Sequence, residues 1–251
     1  MYQIPQLLKY KNLYHFFSDK SERNMASVIL GKPFDFNVVL ENRKKFLRKI
    51  KVNMNSCICI WVLGKDGVGV AGSQDKGISM KDYRKAVKID SLITNHKGLY
   101  LFLLTADCAP VIVFDPIKKT IGLVHVGWKG ADLNIVQKVI LKMHKEYDSD
   151  AKDMVVGIGP CARKDSFIKK SPSQIDDLKW KKFLEPMGNM VFKVDFLGLC
   201  KEQLVNGGVK EENIFDCYID TARNNNFFSH TRERELPLNQ QGRFACIVGI
   251  K

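Results

Sequence analysis

Residues 99–130 read LYLFLLTADCAPVIVFDPIKKTIGLVHVGWKG. Three apolar runs, Leu99 to Leu104, Pro110 to Phe114 and Ile121 to Val126, have the length and bounding residues of strands, and Asp115-Pro116 with Lys118-Lys119 makes the turn between the last two. From about residue 131 to 147 a helix is predicted, because Leu133, Val136, Val139, Ile140 and Met143 recur at helical spacing. Working outward, Cys57 to Leu63 predicts a buried strand, Met154 to Ile158 and Phe244 to Ile250 two more, and residues 37–50 a helix carrying Val38, Val39, Phe46, Leu47 and Ile50. The first 35 residues are irregular in pattern. Strands and helices mix without a regular βαβ beat, which predicts an α+β fold with mixed β-sheets rather than a doubly wound parallel one.

With 251 residues, 45% hydrophobic and 10% aromatic, the chain can bury a substantial core, which excludes disorder as its main state. No repeat or linker divides it, so one domain over residues 1–251 is expected. Forty Lys+Arg against 27 Asp+Glu give a net charge of +13, which favours acidic small molecules, phosphates or nucleic acid as partners. Nucleic acid is the weakest of these, because the excess is mostly dispersed lysine. The one basic run, Asn42-Arg43-Lys44-Lys45-Phe46-Leu47-Arg48-Lys49, reads as the solvated face of a helix. Seven cysteines, an odd number, suggest reduced thiols and a cytoplasmic protein. Lys9 and Lys11 interrupt Leu7-Leu8 before any secretory core develops, and no apolar stretch is long enough to span a membrane.

Gly67-Val68-Gly69-Val70-Ala71-Gly72 matches the dinucleotide-binding pattern GxGxxG, but no helix is evident after it, and a glycine-rich hairpin is the expectation. Cys57 and Cys59 point to one face of a strand and, without a second pair at zinc-ribbon spacing, are expected to be core residues. The strongest chemical signal joins Thr105-Ala106-Asp107-Cys108-Ala109-Pro110 to Val124-His125-Val126-Gly127-Trp128-Lys129-Gly130. Each lies at the end of an apolar strand, where side chains leave the core. Cys108 and His125 meeting there suit zinc or copper, or a nucleophilic thiol with its base. The alternative is a buried cysteine and a capped histidine that never meet.

TADCAPV at 105–111, HVGWKG at 125–130, IGPCA at 158–162, FFSHTRE at 227–233 and GRFA at 242–245 occur in the order and near the spacing of a known family. The chain resembles the family first described as multicopper polyphenol oxidases, or laccase-domain proteins, and later as purine nucleoside phosphorylases. Glu41-Asn42-Arg43 and Asp90-Ser91-Leu92-Ile93-Thr94 add to the likeness, which covers most of the chain from about residue 37. The resemblance implies one domain of mixed sheets packed between helices, an αββα sandwich, with a His-Cys-His site holding zinc or copper. It also implies phosphorolysis of adenosine, inosine, guanosine or methylthioadenosine, adenosine deamination, and in some branches editing of peptidoglycan precursors. A purine nucleoside and phosphate would be the small-molecule partners.

Cys108 and His125 match the second and third positions of that site, as catalytic residues and metal ligands. The first position, the histidine of a Gln-x-His-Gly segment, aligns with Gly64 or with Lys76, neither a normal metal ligand. His96, Cys161 or His230 remain to complete the set. Five histidines cannot hold several coppers, which speaks against the oxidase label. Asp107 reads as a general base or as a residue orienting its neighbour, and Trp128 as a stacking platform for a purine or as packing. His230 and Arg232 match a Ser-His-Arg-Arg pattern with Thr231 in place of one arginine. Arg243 reads as a phosphate contact or a structural ion pair. The backbone at Gly157-Ile158-Gly159-Pro160-Cys161 either presents amides to a ligand or makes a tight strand exit. Two rivals to the phosphorylase reading follow: a metal-free Cys-His hydrolase or amidase, and a catalytically degenerate binder of anionic ligands.

Overall fold

The computed structural model describes residues 1–251, leaving out the side chain of Ile78. Alternation along the strand Cys57–Trp61 divides its neighbours into layers: Ile58 and Ile60 join one buried cluster, Cys57 and Cys59 another. The adjacent strand Tyr100–Thr105 repeats the division, with Leu101 and Leu103 on the first side and Phe102 on the second. These two belong to a five-stranded sheet in the order Leu13–Phe17, Phe244–Ile250, Tyr100–Thr105, Cys57–Trp61, Val87–Lys88. Against it lies a six-stranded sheet in the order Ile214–Asp216, Val155–Ile158, Ala109–Asp115, Thr120–Val126, Ser91–Thr94, Val68–Val70. Both sheets mix parallel and antiparallel pairs.

Between the sheets, Ile58, Leu101, Leu103 and Phe244 pack with Ile112, Phe114, Ile121 and Leu123. The outer face of the five-stranded sheet is covered by the helix Phe36–Lys49 through Phe46, Leu47 and Ile50. The outer face of the other meets the helices Ile135–Tyr147 and Phe196–Asn206, where Val136, Val139, Leu199 and Leu204 join the cluster of Val111, Val113 and Val124. Helix, sheet, sheet, helix is the expected α+β sandwich. Because both central strands of the six-stranded sheet are covered on two faces, every residue of Ala109–Asp115 and Thr120–Val126 is buried. Among the described residues no helix is long and apolar enough to cross a membrane.

Four local expectations change. The irregular N-terminal region contains the strand Leu13–Phe17, held by pairing with the C-terminal strand. The single helix predicted over 131–147 is two, Trp128–Asp132 and Ile135–Tyr147, broken where Asn134 adopts a left-handed φ of 59°, and Leu133 is 42% exposed instead of core. Val68–Val70 is a parallel edge strand on Ser91–Thr94 and no hairpin, and a 3-10 turn at Ser73–Asp75 follows it, so no helix N-terminus faces the glycines. Within the basic run, Arg43 is only 1% exposed: its Nε donates to Met25 O at 2.9 Å and its Nη1 to Met80 O at 3.1 Å. The run is therefore no single solvated face.

Candidate functional site

Register brings the two motifs together. In the antiparallel pair of central strands, Ala109 faces Val126 and Pro110 faces His125, so one step further Gly127 is set against Cys108. A Cβ on Gly127 would lie 2.9 Å from Cys108 Sγ and 3.7 Å from His125 Cε1; the thiol and the imidazole occupy the space that any other residue would fill. Thr105 Oγ1 closes the intervening loop by donating to Cys108 O at 2.6 Å. On the other flank, Ser91 pairs with Val124, which carries Asp90 to the histidine: His125 N donates to Asp90 O at 2.9 Å, and His125 Nδ1 lies 3.3 Å from Asp90 Oδ1.

Asp90 is fully buried, yet its carboxylate accepts the backbone amides of Leu63 at 3.1 Å, Gly64 at 2.8 Å and Lys65 at 2.9 Å. Burial opposes its ionisation, but His125 and these amides outweigh burial and hold its pKa below the ordinary carboxylate value. For His125 burial disfavours the charged form, while the Cys108 sulfur and the Asp90 carboxylate favour it more strongly and raise its pKa to about 9. At neutral pH the site thus holds an imidazolium between a carboxylate and a thiol. That arrangement can donate a proton, or stabilise a thiolate.

The five-stranded sheet contributes a cation. Phe244 pairs with Thr105, so Arg243 lies beside the Cys108 loop, and its one side-chain hydrogen bond among the described residues goes to Gly242 O at 2.7 Å. Burial lowers its pKa, with Asp107, Cys108 and Glu233 acting in the opposite sense. His230 is half-buried close by, with Nδ1 shielded and unpartnered among the described residues; burial lowers its pKa, Arg243 adds to this and Asp107 opposes it.

The remaining candidates are held by the fold. Asp107 accepts from Thr221 Oγ1 and from Thr231 N, both at 2.7 Å, so each of its oxygens anchors a loop. Arg232 donates to Thr221 O at 2.7 Å, to Phe227 O at 2.6 Å and to Glu233 Oε1 at 2.8 Å, which organises the 221–227 segment. Trp128 packs against Trp180 with ring centroids 6.0 Å apart, and Lys169 Nζ stands 5.8 Å over its ring. Glycine at 157 and 159 is required by packing, since a Cβ there would meet Leu7 at 2.6 Å and Phe17 at 2.3 Å.

For a metal, Cys108 and His125 supply two donors. Gly64 has no side chain and spends its amide on Asp90. Lys76, the other residue aligned with the first ligand position, follows the Ser73–Asp75 turn. His96 follows the end of Ser91–Thr94 remote from His125, and Cys161 is fully buried with its pKa pushed well up by burial. Among the described residues no three His, Cys, Asp or Glu side chains gather as a ligand set. The donors present do not fit a zinc centre with three protein ligands, and the expected zinc or copper finds no such site here. Two contributors escaped the reading of the motifs. Asp90 is signalled only as a lone carboxylate opening an apolar strand, and Arg43 is hidden in a polar run.

Residues 21–251 match the model of a protein family described as multi-copper polyphenol oxidoreductase laccase. Purine nucleoside phosphorylase YlmD of Bacillus subtilis is 24% identical over 223 residues, covering 85% of this chain and 77% of that protein. Purine nucleoside phosphorylase LACC1 of Mus musculus is 27% identical over 202 residues, 76% of this chain but 41% of the mouse protein, so the chain spans less than half of that relative. Among solved structures, YlmD from Geobacillus stearothermophilus superposes with a TM-score of 0.86 at 21% identity, covering 96% of this chain and 93% of that one, a likeness of fold.

Proposed function

From a chain that belongs to the multi-copper polyphenol oxidoreductase laccase family, we propose a purine nucleoside phosphorylase acting on adenosine, inosine, guanosine or methylthioadenosine. What carries the reading is the convergence of the His125 imidazolium, braced by Asp90, with Cys108 and the Arg243 guanidinium at one end of the sheets. Phosphorolysis needs an oxyanion held against the anomeric carbon and a proton for the departing purine. Arg243 holds a phosphate oxygen through the donors left free by Gly242. His125 gives its proton to a ring nitrogen as the glycosidic C–N bond breaks and the C–O bond to phosphate forms. Asp90 stabilises the imidazolium before transfer, and Cys108 keeps its pKa high. No step is routed through a metal.

The test is chromatographic: purified protein with adenosine or inosine, with and without phosphate, zinc and chelator, and with Cys108→Ala as the blank. Phosphate-dependent release of free purine is the expected result, and inosine from adenosine would instead mark deamination. Absence of any purine product under all conditions would overturn the proposal. The order Asp90, His125, Cys108 also matches an Asp-His-thiol nucleophilic relay, the geometry of a hydrolase or amidase. That reading predicts a covalent acyl-enzyme on Cys108, visible by intact mass with an activated ester.

A further inference from the structure

A cavity of about 270 Å³ lies between the segment 26–31, the end of Cys57–Trp61 and the start of the C-terminal strand; Arg43 and Arg243 both line it. Neither guanidinium has a carboxylate partner within ion-pair distance among the described residues, which is unusual for buried arginine. Arg43 has five N–H groups, of which two go to the Met25 and Met80 carbonyls and one faces the Cys59 sulfur, leaving the others without a protein acceptor among the described residues. Ser27, on the same wall, is 3% exposed and its Oγ is unpartnered among the described residues. Trp61 and Tyr83 form a flat side of the cavity, their rings stacked with centroids 6.0 Å apart and 29° between planes.

Two like charges facing one small volume repel, and each loses hydration by being there. A hydroxyl left bare beside them adds a third unmet hydrogen bond. A single ligand answers all three: a tetrahedral oxyanion with several acceptor oxygens, for which arginine forks are the preferred partners. The stacked rings offer an aromatic surface to a planar group attached to it. We propose that this cavity binds a phosphate group between Arg43 and Arg243, supplied as free phosphate or as an ester whose planar ring lies along Trp61 and Tyr83. Arg243 belongs both to this cavity and to the surroundings of Cys108, so the inference deepens the phosphorylase reading by naming where its oxyanion sits. Binding needs no turnover, so the two stand or fall separately.

Calorimetric titration of the full chain with inorganic phosphate, AMP and adenosine at fixed ionic strength tests this. Phosphate and AMP are expected to bind, with affinity reduced about tenfold or more in Arg243→Gln and severalfold in Ser27→Ala. Arg43 also supports two backbone carbonyls, so Ser27→Ala supplies the variant that keeps the fold. Without ligand it should melt at or above the wild-type temperature, because an unpartnered hydroxyl is removed, whereas a merely structural hydroxyl would lower the melting point. Tighter binding of AMP than of phosphate, lost in Trp61→Leu, would identify the ester as the source; equal affinities would identify free phosphate. Failure of both anions to bind at millimolar concentration, or undiminished affinity in both variants, would overturn the proposal.

Discussion

Replacing Asp90 with asparagine tests the electrostatic centre of the site. The carboxylate accepts three backbone amides, at 3.1, 2.8 and 2.9 Å, and faces His125 Nδ1 at 3.3 Å. Asparagine has one acceptor oxygen, and whichever way its amide turns, the NH2 meets a donor. At least one buried N–H is left unmet, costing about 1–3 kcal/mol, and the imidazolium loses its buried counter-charge, for which about 3–5 kcal/mol is typical. Since these overlap, a loss of about 3–5 kcal/mol is expected, which for a chain of this size lowers the melting temperature by roughly 6–20 °C. The loss depends on pH. His125 has its pKa raised from 6.5 to about 9, so its contribution is complete below 6.5 and disappears as pH rises through about 9. Asp90, with its pKa lowered, stabilises above its ordinary value and ceases to do so as pH falls through the depressed one. Scanning calorimetry should therefore find the gap between wild type and Asp90→Asn widest near pH 6 and narrower at pH 10, and NMR should find the His125 pKa displaced downward. A variant that melts within about 2 °C of wild type at pH 6, or a gap that ignores pH, would refute the pairing.

Gly127→Ala places a Cβ 2.9 Å from Cys108 Sγ, so the sulfur must move; the rate of Cys108 alkylation by iodoacetamide should change severalfold, with about 1–3 kcal/mol lost to overpacking. Asp107→Ala strands the Thr221 hydroxyl and the Thr231 amide and should cost about 2–4 kcal/mol in urea unfolding; an undiminished stability would return Asp107 to the role of a free base. The phosphorolysis rate should fall as pH rises through about 9, where His125 loses its proton, and in Cys108→Ala this limb should move to lower pH, as a pH–rate profile will show. In Gly64→His the new Cβ meets nothing within 4 Å, although a φ of +67° adds about 1–2 kcal/mol of strain. Equilibrium dialysis should find zinc bound more tightly than in wild type, and no gain would show that position 64 does not face Cys108 and His125.

Much of the architecture is legible in one dimension. The apolar runs around residues 57–63, 99–126 and 244–250 mark strands because few positions are left over for solvent, and a short turn between Asp115 and Thr120 makes the register of the central hairpin a local matter. That register alone sets Gly127 against Cys108, which is why two motifs some twenty residues apart prove to be neighbours. The helix at 36–49 is visible from its spacing, but the burial of Arg43 is not, because the carbonyls that receive it come from Met25 and Met80 in separate segments. The break at Asn134 is similarly silent, since leucine and asparagine there leave the helical pattern unbroken on paper.

By itself the sequence determined which strands and helices form and that a thiol and an imidazole leave the core at adjacent strand ends, since apolar periodicity and short-turn register depend on neighbours along the chain. The tertiary structure alone decided that Asp90 charges His125, that Asp107 and Arg232 are occupied by loop contacts, that no third ligand joins Cys108 and His125 among the described residues, and that Arg43 and Arg243 share a cavity. These depend on distances between remote segments, and the charge a buried group carries follows from whatever packing brings within a few ångströms of it.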